Sequence, residues 1–553
     1  MKNKVLLFSS LFLAVLFSSC NRGGKTGLLV PKDAGLVIQV DISSLSSKLS
    51  WQEIKETAWF GEAQKQIKDS FALKLLNDPS NSGIDTEGSL VFFLKKSGNS
   101  GYAAIQGKLK DAEKFSLMVK NIDKESITIE KDGNFSFAKN AKSEDAVLYF
   151  TDKIFVFTAD ASEMYKSMSR GQAVNKFGMD SLKYFAKTTL SLKGSDLLDS
   201  DKRFADLIAD KADMHYWMNT GNLYGGMMGG LFNMMKLSAL LEDNISTGKM
   251  NFENGKIVAE TKQLYNKEIS ALLKKYSGKE VGDELLSRLP EGDVLAAFGM
   301  NFNPELLKEI LKLIGVDGIV NGALGQAGLN IDDFIKSSKG DMAFALTNFA
   351  MKESPATVTL DDGQEIAYQK EKPDFKFVFG ASVNDKTAFQ KIVNAADSFF
   401  KDKDKAVADS SNGFKTKQQD QWFALGSSQE EIDAFLKGGK KPAYAGIFKG
   451  HNFGGFVDLQ KIIQLASANS KDSASKKMSQ ISGSFWKNIV VSGDLKNGEA
   501  NSRFEINLMD GSSNSLKQLN KYMDQMYSAM PKNDFQEFEA MDTTSNLPTE
   551  IHK

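Results

Sequence analysis

The chain has 553 residues, of which 41% are hydrophobic and 25% charged, and its formal net charge is −1. A chain of this length exceeds what one hydrophobic core usually serves, so it predicts two or three domains. The balanced charge lacks the basic footprint of a nucleic-acid-binding protein, so no nucleic-acid partner is predicted. The scarcity of proline, with nine residues, argues against long proline-rich linkers.

The chain begins with a predicted lipoprotein signal peptide over residues 1–19. Lys2 and Lys4 give it a positive start, and an apolar run extends from Val5 to Phe17. This run is shorter than the roughly 20 apolar residues that a transmembrane helix needs. It is therefore typical of the hydrophobic region of an export signal.

Cys20, the single cysteine of the chain, directly follows the small residues Ser18 and Ser19. The arrangement resembles the bacterial lipobox, in which the leader is cleaved just before a cysteine that carries the lipid. Phe17 stands in the position where leucine is customary. The resemblance implies lipidation of Cys20, and the alternative is a buried structural cysteine behind an ordinary signal peptide. A lone thiol cannot form an intramolecular disulfide.

Residues 20–27 form the predicted anchor linker, and positions 21–27 contain no acidic residue. By the same resemblance, Asn21 after the cysteine implies the outer membrane, and the missing acidic stretch implies a periplasm-facing protein. A lipoprotein carries two or more acyl chains, which hold a protein at a membrane firmly where a single chain would not. The predicted location is therefore the outer membrane, through an N-terminal lipid anchor.

The chain also repeats itself at long range. Residues 28–50 and 287–311 share a proline, a turn, an apolar strand-like run and a helical pattern, with Pro31 matching Pro290. Further pairs follow in the same order: 82–94 with 327–346, 101–121 with 374–395, 152–164 with 420–432, and 251–265 with 495–509. Phe115 and Phe389 hold like places in one of these pairs. The alternative is that any α+β chain offers recurring strand–helix units.

These patterns predict an α+β fold made of two diverged tandem copies of a mixed, largely antiparallel sheet-plus-helix domain. The predicted domains are 28–270 and 271–530, followed by a polar C-terminal tail over 531–553 that lacks periodicity. Asn254-Gly255 and Asn497-Gly498 are the strongest two-residue hairpin signals. An insertion at 357–369 predicts an extra hairpin around Asp362-Gly363.

No catalytic or cofactor signature stands out. The three histidines, His215, His451 and His552, show no paired metal-ligand spacing, and the motifs HExxH, CxxC, GxSxG and GxGxxG are all missing. Asp402-Lys403-Asp404 lacks the glycine and the closing glutamate of a calcium loop, so a solvated loop is favoured. We therefore predict no metal, no cofactor and no enzymatic activity.

The most unusual stretch is LYGGMMGGLFNMMKLSALL, residues 223–241. Methionine is flexible and suits adaptable contact surfaces. Three interpretations remain open: a buried helix on a sheet, a surface that binds a lipid, peptide or protein partner, and thioether copper binding. The candidate binding surface consists of Met227, Met228, Leu231, Phe232, Met234 and Met235.

The lipobox, the strand entry Pro31–Ala34 and the second entry Pro290–Asp293 together resemble one family. It is an uncharacterised lipoprotein family of Bacteroidetes-type bacteria, known as a domain of unknown function, DUF4836. The resemblance implies an envelope location and no particular activity. The leading hypothesis is a membrane-anchored, non-enzymatic envelope lipoprotein with a binding or structural role. The alternative is an envelope hydrolase that acts on glycans or peptides.

Overall fold

The computed structural model describes residues 27–67, 69–142, 144–168, 174–225, 240–292, 294–359, 365–402, 414–468 and 472–530. The signal peptide, Cys20, the six residues of the candidate binding surface at 227–235 and the C-terminal tail all lie outside these residues. The predictions made for them therefore stay predictions.

The chain divides into two compact units. Unit 1 comprises residues 1–47, 67–251 and 261–266, and unit 2 comprises 48–66, 252–260 and 267–553. This division follows spatial contacts, whereas the predicted boundary between 270 and 271 follows repeated sequence. The two divisions rest on different criteria, so the contact-based units do not test the predicted domain boundaries, which stay a prediction.

Unit 1 contains an antiparallel sheet with the strand order β9-β8-β1-β2-β3-β7-β6-β5-β4. Most of the consecutive strands are neighbours, and short connections join β2 to β3 and the series from β4 to β7, as antiparallel pairing allows. The strands are β1 (Leu36–Asp41), β2 (Ser89–Ser97), β3 (Ser100–Lys108), β4 (Ile127–Asp132), β5 (Phe135–Asn140), β6 (Ala146–Phe150), β7 (Ile154–Asp160), β8 (Met214–Asn219) and β9 (Ile245–Glu253).

Unit 2 contains a second antiparallel series with the order β18-β17-β16-β11-β12-β13-β15-β14. Its strands are β11 (Ala296–Asn301), β12 (Ser338–Thr359), β13 (Glu365–Val383), β14 (Lys415–Gln419), β15 (Trp422–Gly426), β16 (Phe453–Val457), β17 (Trp486–Lys496) and β18 (Glu499–Leu508). Strand β10 (Lys256–Leu264) has residues in both units.

Five strands have the same order in the two units: β8-β1-β2-β3-β7 in unit 1 corresponds to β16-β11-β12-β13-β15 in unit 2. The last residue of β1 and the last residue of β11 make equivalent backbone hydrogen bonds. The Asp41 amide donates to the Asp213 carbonyl at 2.9 Å, and the Asn301 amide donates to the Asn452 carbonyl at 2.7 Å. The sequence segments that were predicted to be repeats therefore fall on strands with matching places in the two sheets, and the duplication itself stays a prediction.

The α-helices alternate irregularly with the strands, which confirms the predicted α+β class. In unit 1 they are Ile42–Lys48, Ser70–Asn77, Ala112–Ile122, Ser162–Met168, Met179–Leu190, Lys202–Ala209 and Thr220–Tyr224, the first of which ends at the unit boundary. In unit 2 they are Trp51–Lys55, Ala58–Gln66, Lys267–Tyr276, Asp283–Leu286, Pro304–Leu313, Asp317–Gly325, Ile331–Ser337, Lys386–Asp402, Gln429–Lys437, Leu459–Ala468, Ser473–Phe485 and Ser515–Ala529. Short 3-10 turns occupy Pro79–Ser82, Gly194–Asp196, Leu198–Ser200 and Ala443–Phe448.

Side-chain caps fix where several helices begin. Asp111 accepts hydrogen bonds from the amides of Glu113 and Lys114, which starts the helix after β3. Ser50 and Glu53 form a reciprocal capping box at the start of Trp51–Lys55. Each cap satisfies amides that have no partner inside the helix.

One face of the unit 1 sheet carries its main core. Val37, Val91, Phe93 and Val156 are buried there together with Phe204 and Trp217. The helices Met179–Leu190 and Lys202–Ala209 contribute Phe185, Leu190, Leu207 and Ile208 to the same cluster. Phe204 and Trp217 meet edge to face at 5.5 Å, an arrangement that adds to the burial of both rings.

Unit 2 buries the corresponding face of its sheet. Ala297, Ala345 and Val378 pack with Phe435 and Phe448. Gly380 lies directly beneath the Phe435 ring, where a Cβ atom would come within 1.9 Å of the ring. A larger residue at 380 would displace this ring, so the close approach requires glycine.

The predicted hairpins are present in the described residues. Asn497 and Gly498 both have positive φ values, 58° and 79°, and join Lys496 to Glu499 in a two-residue turn. The insertion at 357–369 forms the outer end of β12 and β13, which pair as far as Thr359 with Glu365. The turn around Asp362-Gly363 lies outside the described residues.

Candidate functional site

The face of the unit 1 sheet opposite the main core carries a row of apolar side chains. Because side chains alternate along a strand, Ile38 lies between the buried Val37 and Gln39 and points to the other face. Cross-strand pairing then aligns neighbours on that face, and we call this set the unit 1 row: Tyr216, Ile38, Phe92, Ile105, Phe157 and Leu148. Ile105 is 41% exposed and Phe157 40% exposed, large fractions for apolar residues in the middle of a sheet.

Two helices flank the unit 1 row. Phe92 and Leu148 pack against the clusters that these helices form, and within the described residues Ile105 and Phe157 stay exposed between them. On one side, Phe115 and Val119 of Ala112–Ile122 pack on Phe150 and Phe155. On the other side, Tyr165 of Ser162–Met168 packs with Leu94, Ala103 and Leu36. We call the strip between these two helices, with Ile105 and Phe157 exposed at its centre, the unit 1 groove.

Unit 2 has an equivalent row. Register pairing aligns Phe504, Val491, Gly455, Phe298, Phe344, Phe379 and Leu425, which we call the unit 2 row. Phe298, Phe344 and Phe504 are each 37–38% exposed. Ile38, Phe92, Ile105 and Phe157 thus hold the same strand positions as Phe298, Phe344, Phe379 and Leu425.

The flanks of the two rows also correspond. The Phe115 ring lies 5.1 Å from the Phe155 ring, and the Phe389 ring lies 5.1 Å from the Phe423 ring. Phe155 and Phe423 each stand two residues from a row position, on β7 and β15. Phe115 and Phe389, which hold like places in the paired sequence segments, thus make ring contacts of equal length in the two units.

A small polar group lies within the unit 1 core around His215. The side chain is 4% exposed, and its Nε2 lies 2.7 Å from the Asp210 carbonyl oxygen. Because a carbonyl only accepts, Nε2 carries the proton and Nδ1 is the acceptor. Among the described residues Nδ1 has no hydrogen-bond partner. Burial lowers the pKa of His215, while Asp210 and Asp41 act in the opposite direction and Lys249 adds to the lowering.

His451 lies in a different setting in unit 2. Its Nδ1 is 3.0 Å from Asp494 Oδ2, and its side chain is about one third exposed. Neither His215 nor His451 has a hydroxyl partner in the part of the chain that the structure describes. A histidine without an attached nucleophile can bind or transfer a proton, but it does not by itself form a nucleophilic pair.

The described residues show no group of three or more His, Cys, Asp or Glu side chains placed to hold a metal ion. Within the same ranges, no helix combines the length and the apolar character that crossing a bilayer requires.

A comparison with protein families decides which family this is. The model described as "Domain of unknown function (DUF4836)" matches residues 27–363, which is more than half of the chain. The chain belongs to the DUF4836 family. The match includes the whole unit 1 row and Phe298 and Phe344 of the unit 2 row. The family resemblance predicted from the strand entries is confirmed, and its lipoprotein nature and bacterial group stay predictions.

Comparison of this DUF4836 chain with the curated proteins gave no significant match. Among solved structures, it is similar to crystal forms III, IV and I of TP0453, at 9%, 9% and 8% sequence identity. The matches cover 46%, 46% and 43% of this chain and 88%, 88% and 78% of TP0453, with TM-scores of 0.25, 0.24 and 0.24. Similarity this low carries no inference about function.

The residues selected from the sequence and those selected from the structure are different. Cys20 and the methionine-rich set from Met227 to Met235 lie outside the described residues of the DUF4836 chain. The apolar rows were missed, although a signal for them exists: Leu90–Leu94 is a continuous apolar run. A strand that buries only one face alternates apolar with polar, so such a run indicates that both faces are apolar.

Acidification is expected to destabilise unit 1 through His215. Because the pKa is depressed in the folded state, the unfolded chain binds the proton more readily. Full stability is therefore present above about pH 6.5, the ordinary histidine value, and is lost as the pH falls through the depressed pKa. Urea unfolding at several pH values, followed by hydrogen exchange of peptides from β1 and β8, measures this loss. His215→Gln should remove this loss of stability at low pH, and the control His451→Gln should retain it. An unchanged loss in His215→Gln would contradict this role.

Proposed function

We propose that this protein is a membrane-anchored envelope lipoprotein that binds apolar ligands, one in the groove over each row, without catalysing a reaction. The observation that carries the proposal is the matched pair of open apolar rows on the two sheets. An exposed apolar strip costs free energy in water, so a protein that keeps two at equivalent positions has a use for them.

The dimensions of the unit 1 groove favour a long, narrow ligand. From Tyr216 to Leu148 the row crosses six strands, or five intervals of about 4.8 Å, which gives a length of about 24 Å. The helices Ala112–Ile122 and Ser162–Met168 flank it on its two sides. An extended acyl chain has this shape and makes no demand for hydrogen bonds, which the apolar floor does not offer.

The proposal includes the predicted duplication. The equal strand order, the matched rows and the matched Phe115 and Phe389 contacts support an origin of the two units as diverged copies. Two grooves of common origin imply two ligands of the same chemical class per chain.

The anchor is part of the same proposal and rests on the leader, the small residues before Cys20 and the acid-free linker. The family match begins at residue 27, directly after that linker. The outer membrane and its periplasmic side follow from the lipobox resemblance alone. The hydrolase alternative gains no support from the contacts of His215 and His451.

Acidic residues in the floor of one groove are expected to abolish one of two binding sites. Ile105→Glu combined with Phe157→Glu places two carboxylates where the ligand would lie, which should weaken binding there by about tenfold or more. Titration with a fluorescent fatty acid, 11-(dansylamino)undecanoic acid, should then show one site in place of two.

The matched control is Ile319→Glu, because Ile319 is 65% exposed on the helix Asp317–Gly325 and is not part of a row. It should keep both sites. Phe298→Glu with Phe344→Glu should remove the other site. Circular dichroism establishes that each variant is folded. Two unweakened sites in the Ile105→Glu, Phe157→Glu chain would refute the assignment of the unit 1 groove.

A further inference from the structure

The N-terminal segment enters unit 1 at a defined place. Gly27 lies beside the Lys108 ammonium group, since a Cβ on Gly27 would be 3.9 Å from Lys108 Nζ. The Leu29 amide donates to Gln106 Oε1 at 3.1 Å, and the Val30 carbonyl accepts from the Leu198 amide at 2.8 Å. Leu29 and Val30 are both buried. The chain is therefore fixed to the end of β3 from its first described residues onward.

The linker that leads to this point is short. Seven residue steps separate Cys20 from Gly27, and a fully extended chain covers at most about 3.6 Å per residue, so the span is at most about 25 Å. Given the proposed lipidation of Cys20, the end of β3 is held within that distance of the lipid surface. The surface of unit 1 that lies near Lys108 can therefore reach the membrane.

The helix Ala112–Ile122 begins next to that point. Its cap, Asp111, is three residues beyond Lys108. Phe115 and Val119 face the sheet, and Lys114, Leu117 and Lys120 follow each other at a spacing of three on the outer side. Leu117 is 57% exposed, and Ile122, at the end of the helix, is 68% exposed. Two of the most exposed large apolar residues thus lie on one helix beside the linker.

The charges on this helix complement an anionic lipid surface. Lys114 and Lys120 form no ion pair within the described residues, although many lysines of unit 1 do, such as Lys142 with Asp123 at 3.0 Å. Glu113 is the single acidic residue inside the helix. Unpaired lysines on either side of an exposed leucine are typical of a helix that lies in a membrane interface, with cations at the headgroups and the apolar residue below them.

We infer that the helix Ala112–Ile122 docks on the anionic lipid surface to which the chain is tethered, with Lys114 and Lys120 at the phosphate groups and Leu117 in the interface. The inference rests on the proposed anchor at Cys20. It also deepens the proposed binding function, because this helix forms one wall of the unit 1 groove. Docking brings that wall to the surface where acyl chains are available.

The test uses the full mature chain with Cys20→Ala, so that docking is measured without the lipid anchor. Its partition onto vesicles of phosphatidylcholine with one quarter phosphatidylglycerol is measured by sedimentation at low salt. Each lysine near an anionic surface contributes about fivefold, so Lys114→Gln with Lys120→Gln should lower the partition about 25-fold. The matched control, Lys193→Gln with Lys202→Gln, removes the same charge from other exposed sites of unit 1 and should leave the partition unchanged.

A second readout places a fluorescent label at Leu117→Cys or at Tyr184→Cys, in each case the single thiol of the chain. Tyr184 is 66% exposed on a different helix of unit 1. The emission should shift to the blue on anionic vesicles at Leu117 and remain as in water at Tyr184.

Equal losses in the two lysine pairs, equal emission at the two labels, or no partition of the parent chain would overturn the docking inference. Mass spectrometry of the amino terminus tests the anchor separately. A missing acyl group together with a blue shift at Leu117 would reject the anchor and keep the docking surface.

Discussion

Replacement of Cys20 by alanine is expected to transfer the protein from the membrane pellet to the soluble fraction. Each buried methylene of an acyl chain contributes about 0.8 kcal/mol, so the loss of two or three chains removes tens of kcal/mol of membrane affinity. The described residues contain no helix that could replace this anchor by crossing the bilayer. The docking inferred for the helix Ala112–Ile122 would add only a weak, salt-sensitive contact.

The measurement is fractionation of cells with a high-salt wash, followed by immunoblotting. Ser18→Ala, next to the same cleavage site, is the matched control and should stay in the pellet. If the Cys20→Ala chain also resisted the salt wash, the anchor assignment would be wrong.

Phe204→Ala is expected to lower the free energy of unfolding of unit 1 by about 3–5 kcal/mol, the usual range for a buried phenylalanine. Phe204 is 1% exposed and meets Trp217 edge to face, so its removal leaves a cavity against a second large ring. The cavity cannot close easily, because Val37, Phe93 and Val156 of the same cluster are held by the sheet.

Urea unfolding, read by hydrogen exchange of peptides from β1 and β8, reports this loss for unit 1 alone. Tyr184→Ala on the neighbouring helix serves as the control, and its cost should be within about 0.5 kcal/mol because the ring is largely in solvent. A Phe204→Ala chain as stable as this control would show that the cluster around Trp217 is not the core of the unit.

The sheet architecture could be predicted from the sequence because antiparallel neighbours leave local signals. Consecutive strands and Asn-Gly turns, such as Asn497-Gly498, depend on residues that are close in the chain. The membership of residues 48–66 in unit 2 has no such signal. It depends on contacts such as the ion pair between Glu53 and Lys517, whose partners are 464 residues apart.

The candidate site escaped the sequence analysis for a related reason. A row across a sheet takes one residue from each of several strands, so Ile38, Phe92, Ile105 and Phe157 never form a motif along the chain. For His215 the sequence showed only that it lacks a metal-ligand spacing, because the sequence does not reveal that the residue after the helix Lys202–Ala209 contacts it and that burial depresses its pKa. Only the register of the strands brings the row residues Ile38, Phe92, Ile105 and Phe157 together.

The contacts between residues 51–66 and the last helix have a consequence for how the chain is made. Lys517 donates to Glu53 at 2.7 Å and holds the pKa of that carboxyl down to about 2, with further hydrogen bonds from Ser50. Asp524 accepts a hydrogen bond from the Ala58 amide at 2.6 Å. A polypeptide is synthesised from its amino terminus, so the helices 51–66 emerge hundreds of residues before their partner. Unit 2 cannot finish folding until almost the entire chain has been made, and a chain truncated before Ser515 would leave Glu53 and the Ala58 amide without these partners.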